Sequence, residues 1–118
     1  MKPLFIYYPK CSTCKRAIKY LEEHNIDVEY RDIMTDNPTR EELQKWFGES
    51  GYPIKRFFNT SGIVYREMKL KDKLPTMTDD EALDLLATTG RLIRRPVMVS
   101  DKGIFLGFHE EMYATLIP

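Results

Sequence analysis

Both cysteines of the chain lie in one short segment, which reads Tyr7-Tyr8-Pro9-Lys10-Cys11-Ser12-Thr13-Cys14-Lys15-Arg16. An apolar run, Leu4 to Tyr8, precedes them and predicts a strand that is buried on both faces of a sheet. From Ser12 onward, apolar residues recur at three- and four-residue spacing, which predicts an amphipathic helix. Cys11 is therefore expected at the end of a strand, and Cys14 in the first turn of the helix that follows.

Further strands are predicted near both ends of the chain. Val28, Tyr30 and Ile33 indicate a second strand, so that strand, helix and strand form a βαβ unit with parallel strands and a right-handed crossover. The end of the chain predicts an antiparallel hairpin and a short closing helix, with strands at 97–99 and 104–108 and the helix within 109–116.

The segment between these halves has the pattern of helices. Two S/T-x-x-E capping boxes predict helix starts, Thr39 with Glu42 and Thr78 with Glu81. Gly48 or Gly51 is expected to end the first helix, and Gly90 is expected as the C′ residue of the second. The sequence thus predicts one α/β domain, residues 1–118, with a thioredoxin-like fold. Its mixed four-stranded sheet is flanked by helices, and a helical insertion at about 37–90 separates the βαβ and ββα halves.

Charge and hydropathy exclude several classes of function. Lys and Arg number 18 and Asp and Glu number 18, so the formal net charge is zero and a broad electrostatic surface for nucleic acid is not expected. No apolar run approaches the roughly 20 residues of a membrane span, and the apolar run near the N-terminus is too short for a secretory signal. We therefore predict a cytoplasmic protein that binds neither membranes nor nucleic acid directly.

A C-x-x-C pair in a reducing compartment indicates redox or metal chemistry, because so short a loop stabilises a fold very little. A helix N-terminus next to a thiol lowers its pKa from ~8.5 to about 3.5–7.5. Cys11 is predicted to be the attacking nucleophile. Cys14, on the inward face of the helix, is predicted to be the resolving thiol, which attacks a mixed disulfide or sulfenic acid at Cys11.

Two other interpretations of the cysteines are weaker. They could be unreactive core residues, since free cysteine is often buried. They could be half of a zinc site, but only His24 and His109 remain as ligands, and neither has ligand-like spacing. Both histidines are interpreted as surface residues, and no metal site is predicted. The order strand, C-x-x-C, helix and βαβ favours redox chemistry.

Arg94-Arg95-Pro96 precedes a predicted strand, which is where a thioredoxin-like fold has a cis-proline packed against the cysteine loop. If Pro96 is that proline, Arg95 lies beside Cys11, where its guanidinium can lower the thiol pKa and hold an oxyanion or a carboxylate. Arg94 is interpreted as a solvated strand end. Ser12, Thr13, Arg95 and Pro96 are the candidate substrate-binding residues.

Several separated motifs occur together and in a recognisable order. They are the C-S-T-C-K-R-A run from Cys11, Asn37-Pro38-Thr39, the stretch from Phe58 to Gly62, Tyr65-Arg66-Glu67 and Arg95-Pro96-Val97. In these motifs the chain resembles the ArsC/Spx/MgsR family, the glutaredoxin-like arsenate reductases and their relatives. The resemblance covers nearly the whole chain and implies a thioredoxin-like fold with a helical insertion.

For the enzymes of this family, the resemblance implies that the cysteine matching Cys11 attacks arsenate. No cofactor is bound, and glutathione or a glutaredoxin- or thioredoxin-type protein supplies electrons. Of the three arginines that bind the oxyanion, one matches Arg95, while the other two positions correspond to Asn59 and Phe108. Arg56 and Arg66 are the candidates to replace them. Each lost charge-assisted bond weakens oxyanion binding by ~1.5–3 kcal/mol.

Cys14 resembles the second cysteine of the Spx/MgsR branch, whose members sense disulfide stress and bind the C-terminal domain of the RNA polymerase α subunit. Gly51 is a loose match to a glycine that matters for that contact. The sequence therefore supports two hypotheses. The favoured one is an arsenate-reductase-like thiol-disulfide oxidoreductase that uses Cys11, Cys14 and Arg95. The alternative is a redox-sensing regulator that binds the polymerase subunit.

Overall fold

The computed structural model describes residues 2–118 and divides into two compact units. The first comprises the described part of Met1–Ile33 together with Arg95–Pro118, and the second comprises Met34–Arg94. The strands are β1 (Leu4–Tyr7), β2 (Glu29–Asp32), β3 (Val97–Ser100) and β4 (Gly103–Leu106). The helices are α1 (Ser12–Glu23), α2 (Arg40–Ser50), α3 (Ile63–Glu67), α4 (Leu70–Lys73), α5 (Asp79–Leu86) and α6 (Glu110–Tyr113).

The first unit is built on a mixed four-stranded sheet with the strand order β2-β1-β3-β4. β1 pairs in parallel with β2 and antiparallel with β3, and β3 and β4 form an antiparallel hairpin. In this register Phe5 lies opposite Tyr30 on one side and opposite Met98 on the other. The predicted βαβ unit, its parallel strands and the C-terminal hairpin are confirmed.

The core of this unit packs α1 and α6 against the sheet. Its buried side chains are Phe5, Ala17, Leu21, Ile26, Val28, Met98, Phe105 and Tyr113. Tyr113 is fully buried and its hydroxyl donates a hydrogen bond of 3.4 Å to the carbonyl of Gly107. Gly107 in turn donates its N–H to the carbonyl of Pro96 at 2.8 Å. The closing helix is thereby connected to the residue that introduces β3.

The second unit contains α2 to α5 and three short 3₁₀ turns, at Ile54–Phe57, Leu74–Thr76 and Gly90–Leu92. Both capping boxes are present, because the side chains of Thr39 and Thr78 accept from the N–H three residues on and each Glu reaches back. Arg40 joins the two capped helices by contacting Asp84 at 2.7 Å and Asp80 at 3.0 Å.

The surroundings of Gly90 and the end of β4 differ from the prediction. Gly90 is not a C′ residue: α5 ends at Leu86 with Ala87 as its C-cap, and Gly90 begins a 3₁₀ turn. The side chain of Thr89 caps that turn by accepting from the N–H of Arg91 at 3.2 Å, which sets its start. β4 ends at Leu106 and not at residue 108, because Gly107 has a φ of 80° and turns the chain out of the strand.

Among residues 2–118 no helix is long and apolar enough to span a bilayer.

Two glycines at the end of α2 are expected to have opposite effects on stability when each is replaced by alanine. Gly51 is the C-cap with a φ of 74°, whereas Gly48 lies within the helix, and an added Cβ at either position meets no atom within 4 Å. We expect Gly51→Ala to lower the free energy of unfolding by about 1–2 kcal/mol, because a side chain strains the left-handed conformation. Gly48→Ala should raise it by about 0.5–1 kcal/mol, because alanine favours the helix. Urea unfolding measures both, and equal signs would contradict the assignment of the helix end.

Candidate active site

Cys11 is the N-cap residue of α1, with extended backbone angles of φ −88° and ψ 122°. Its Sγ accepts a hydrogen bond from the backbone N–H of Cys14 at 3.4 Å. The sulfur thus occupies the place in which an N-cap oxygen usually satisfies one of the free N–H groups of the first turn. Cys11 is half-buried, so its sulfur can meet a substrate.

Cys14 lies one turn into α1, on the face that packs inward, and is fully buried. Its Sγ accepts a hydrogen bond from the backbone N–H of Tyr8 at 3.5 Å. The predicted position of Cys14, in the first turn of the helix and on its inward face, is confirmed. Cys11 is the N-cap of α1 and does not end the strand, because β1 ends at Tyr7. Both are free thiols in this structure.

The peptide bond between Arg95 and Pro96 is cis, as the thioredoxin-like pattern predicts. Arg95 is near enough for its charge to act on both thiols. Its guanidinium carbon lies 4.9 Å from the centroid of the Tyr8 ring. Its Nη1 is buried and has no hydrogen-bond partner among the described residues. One nitrogen of Arg95 is therefore a buried donor whose hydrogen-bonding capacity is unused.

The two thiols are shifted in opposite directions. Burial raises the pKa of Cys11, but hydrogen bonds from the Cys14 N–H and thiol, the Arg95 charge and the Thr13 N–H outweigh it and leave that pKa lowered. Burial, the hydrogen bond with Cys11 and the Cys11 charge raise the pKa of Cys14 to about 12, although the Tyr8 N–H and Arg95 oppose the rise. Near neutral pH, Cys11 is the thiol favoured to ionise, and Cys14 keeps its proton.

The structure gives the remaining candidate residues different surroundings. Ser12 is exposed at the start of α1, and the hydroxyl of Thr13 accepts from the Arg16 guanidinium at 3.4 Å. Their role in substrate binding stays a prediction, as does that of Pro96. Phe108, at the position that matches a family arginine, packs its ring against Tyr20 and Tyr113 and adds no charge.

Both histidines are partly exposed. The His24 ring contacts that of Tyr20, with centroids 4.1 Å apart and planes tilted by 41°, and His109 is the N-cap of α6. Across residues 2–118, no cluster of His, Cys, Asp and Glu side chains could hold a metal ion.

Tyr8 is the site residue that the sequence did not reveal. It was interpreted as the last residue of an apolar strand, and β1 ends one residue earlier, at Tyr7. Nothing in the run Tyr7-Tyr8-Pro9 distinguishes a packing tyrosine from one that contacts Arg95, because the contact is made with a residue far along the chain.

A thioredoxin-like sheet, a C-x-x-C at the start of α1 and a cis-proline before β3 define this molecule as a thioredoxin-fold dithiol protein. More narrowly, the chain belongs to the ArsC family, whose model matches residues 6–116.

Characterised and uncharacterised relatives share almost the whole chain. YusI of Bacillus subtilis, described as an uncharacterised protein, is 44% identical over 113 residues, which are 96% of each chain. The regulatory protein MgsR of the same organism is 30% identical over 105 residues, covering 89% of this chain and 82% of MgsR.

Solved structures agree with the fold. An ArsC-family-related protein from Bacteroides fragilis superposes with a TM-score of 0.93 at 52% identity, covering 98% of this chain and 99% of the other. A protein from Streptococcus mutans UA159, described as a possible arsenate reductase, superposes with a TM-score of 0.85 at 41% identity, covering 94% and 97%. These similarities establish the family and the fold.

The opposite pKa shifts predict unequal thiol reactivity. Near pH 7, we expect iodoacetamide to modify Cys11 at least about tenfold faster than Cys14, because alkylation requires the thiolate. The rate at Cys11 should reach its midpoint at a lower pH than that of free cysteine, and Cys14 should remain largely unmodified at pH 9. Peptide mass mapping measures both sites.

Concentrated urea provides the control, because unfolding removes the burial and the hydrogen bonds and should make the two rates converge. Equal rates at Cys11 and Cys14 in the native protein would contradict the assignment.

Proposed function

We propose that the protein is a thiol-disulfide oxidoreductase related to the arsenate reductases, with Cys11 as nucleophile and Cys14 as resolving thiol. One observation carries the proposal: the two thiols differ in protonation within a single turn of α1. Cys11 is half-buried with a lowered pKa, whereas Cys14 is buried with a raised pKa. A nucleophile has to be ionised and accessible, and a resolving thiol has to remain unreactive until the first step is complete.

The first step is attack by the Cys11 thiolate on one sulfur of a substrate disulfide. A mixed disulfide forms at Cys11, and the other substrate sulfur leaves as a thiolate. Cys14 then loses its proton to water and attacks the Cys11 sulfur, which breaks the mixed disulfide and releases the second substrate thiolate. Two electrons have passed to the substrate, and the protein holds a Cys11–Cys14 disulfide. Glutathione or a glutaredoxin- or thioredoxin-type protein reduces that disulfide.

The first step also activates the second. The charge of Cys11 and its hydrogen bond with Cys14 are two of the causes that raise the pKa of Cys14. Both disappear when Cys11 enters a mixed disulfide, whereas the Tyr8 N–H and Arg95 continue to favour the Cys14 thiolate. The pKa of Cys14 therefore falls only after a substrate has been captured.

A disulfide fits this site better than arsenate does. Arg95 is the arginine whose charge acts on both thiols, and the Tyr8 ring covers a face of its guanidinium. Phe108 brings an uncharged ring where a family arginine is expected. Since each charge-assisted hydrogen bond contributes about 1.5–3 kcal/mol, two missing arginines disfavour a doubly charged oxyanion. We therefore propose that arsenate is at most a slow substrate.

The cysteine variants test the proposal. With a glutathionylated peptide as substrate and glutathione as reductant, Cys11→Ser should abolish turnover. With the glutathionylated peptide alone and glutathione left out, Cys14→Ser should accumulate a mixed disulfide at Cys11, because neither the chain nor an added thiol resolves it. Intact-mass measurement detects the adduct, and the chain has only two cysteines, so Cys11→Ser/Cys14→Ser is a complete blank. Undiminished turnover by Cys11→Ser would reject the mechanism.

The similarity to the regulatory protein MgsR supports a second candidate function. Here the Cys11–Cys14 disulfide is a signal, and the chain binds the C-terminal domain of the RNA polymerase α subunit. The balanced charge of 18 basic and 18 acidic residues suits contact with a protein better than contact with DNA.

Binding to the isolated α-subunit domain separates the two candidates. A regulator should bind the domain with an affinity that changes on treatment with a disulfide-forming oxidant. The Cys11→Ser/Cys14→Ser variant should lose this dependence on oxidant. Absence of binding in both redox states, measured by pull-down or calorimetry, would eliminate the regulatory function.

A further inference from the structure

Tyr8 contacts each of the three residues that the proposed chemistry uses. Its carbonyl accepts from the N–H of Cys11 at 3.1 Å, and its own N–H donates to the Cys14 sulfur at 3.5 Å. Its ring lies under the guanidinium of Arg95, with 4.9 Å between the guanidinium carbon and the ring centroid. We propose that Tyr8 is a positioning residue of the dithiol site, which holds the charge of Arg95 beside Cys11.

The backbone explains why one residue can make all of these contacts. Tyr7 is the last residue of β1 and turns its ring to Phe5 and Tyr30, with centroid distances of 5.8 Å and 5.7 Å. Successive side chains of an extended chain point to opposite sides, so the ring of Tyr8 points away from that cluster. Its N–H and carbonyl lie beyond the strand ladder and are free to bond the cysteine loop.

The ring is the contact that orients Arg95. Among residues 2–118, the side chain of Arg95 makes no hydrogen bond or salt bridge, and its buried Nη1 has no partner. An arginine side chain has many rotamers, and one that no hydrogen bond holds is ordered only by packing. Stacking on an aromatic face attracts the guanidinium through the ring quadrupole and is stronger when water is excluded. Without the ring, the charge is free to move away from Cys11.

The inference concerns the same site as the proposed function, but it is measured on the thiol itself and needs no substrate. Failure of the proposed enzyme activity would leave it intact. A tyrosine that serves packing alone would affect stability and leave the titration of Cys11 in the folded protein unchanged.

The test compares alkylation of Cys11 across pH in four variants. Tyr8→Leu keeps the backbone contacts and removes the ring, so the rate near pH 7 should fall about three- to tenfold and the midpoint should move to higher pH. Tyr8→Phe should have the same profile as the wild type, because phenylalanine keeps the aromatic ring. Arg95→Met should produce a shift in the same direction. Adding Tyr8→Leu to Arg95→Met should change the rate by less than about twofold, since Arg95→Met has already removed the charge that the ring holds in place.

A matched control exists within the same chain. Arg56 lies over the ring of Tyr52 at 4.9 Å, and Arg56 is not among the groups that shift the pKa of Cys11. Tyr52→Leu removes an equivalent stacking contact and should leave the Cys11 profile unchanged.

A second series applies if Tyr8→Leu fails to fold. Phenylalanine at position 8 with increasing ring fluorination keeps the shape of the ring and weakens its attraction for a cation. Alkylation should slow with each fluorine added. A profile independent of fluorination, or effects of Tyr8→Leu and Arg95→Met that multiply in the double variant, would overturn the proposal.

Discussion

The hydrogen bond from the Cys14 N–H to the Cys11 sulfur, 3.4 Å long, ties the chemistry of this protein to its backbone. The first turn of any α-helix has N–H groups without partners, and a nearby anion satisfies them. Because Cys11 takes the N-cap position, its thiolate is that anion. The lowered pKa is thus a property of where α1 begins, and any change that moves the start of the helix alters the nucleophile.

The pairing of β1 with β3 brings Arg95 to the cysteine site. β1 leads directly into the cysteine loop, and β3 pairs antiparallel with it, with Ile6 opposite Val97. That register brings the residues just before Val97, the cis-linked Arg95 and Pro96, to the same end of the sheet as Cys11. A positive charge from the far end of the chain therefore acts on a thiol near its beginning, without any ion pair within the cysteine loop itself.

The parts of the molecule that depend on local sequence were predictable, and the thioredoxin-like pattern placed Arg95 and the cis-linked Pro96 near Cys11. The side-chain contacts between distant residues were not predictable. The cysteine positions on α1 and both capping boxes follow from spacing over a few residues. The error at Gly90 arose because α5 ends at Leu86 with Ala87 as its C-cap, and Thr89 caps a separate turn that begins at Gly90. The stacking of Arg95 on Tyr8 depends on strand register and on a side-chain conformation. Neither of these has a signature in the neighbouring residues.

The different protonation of the two thiols fixes the stoichiometry of the redox couple. Between the lowered pKa of Cys11 and the value of about 12 for Cys14, the reduced form holds one thiolate and one thiol. Reduction of the disulfide there takes up two electrons but only one proton. Its midpoint potential therefore falls by about 30 mV per pH unit, half the slope of a couple that takes up two protons. Oxidation also removes one negative charge beside Arg95, so the two redox states present different electrostatic surfaces to whatever approaches the site.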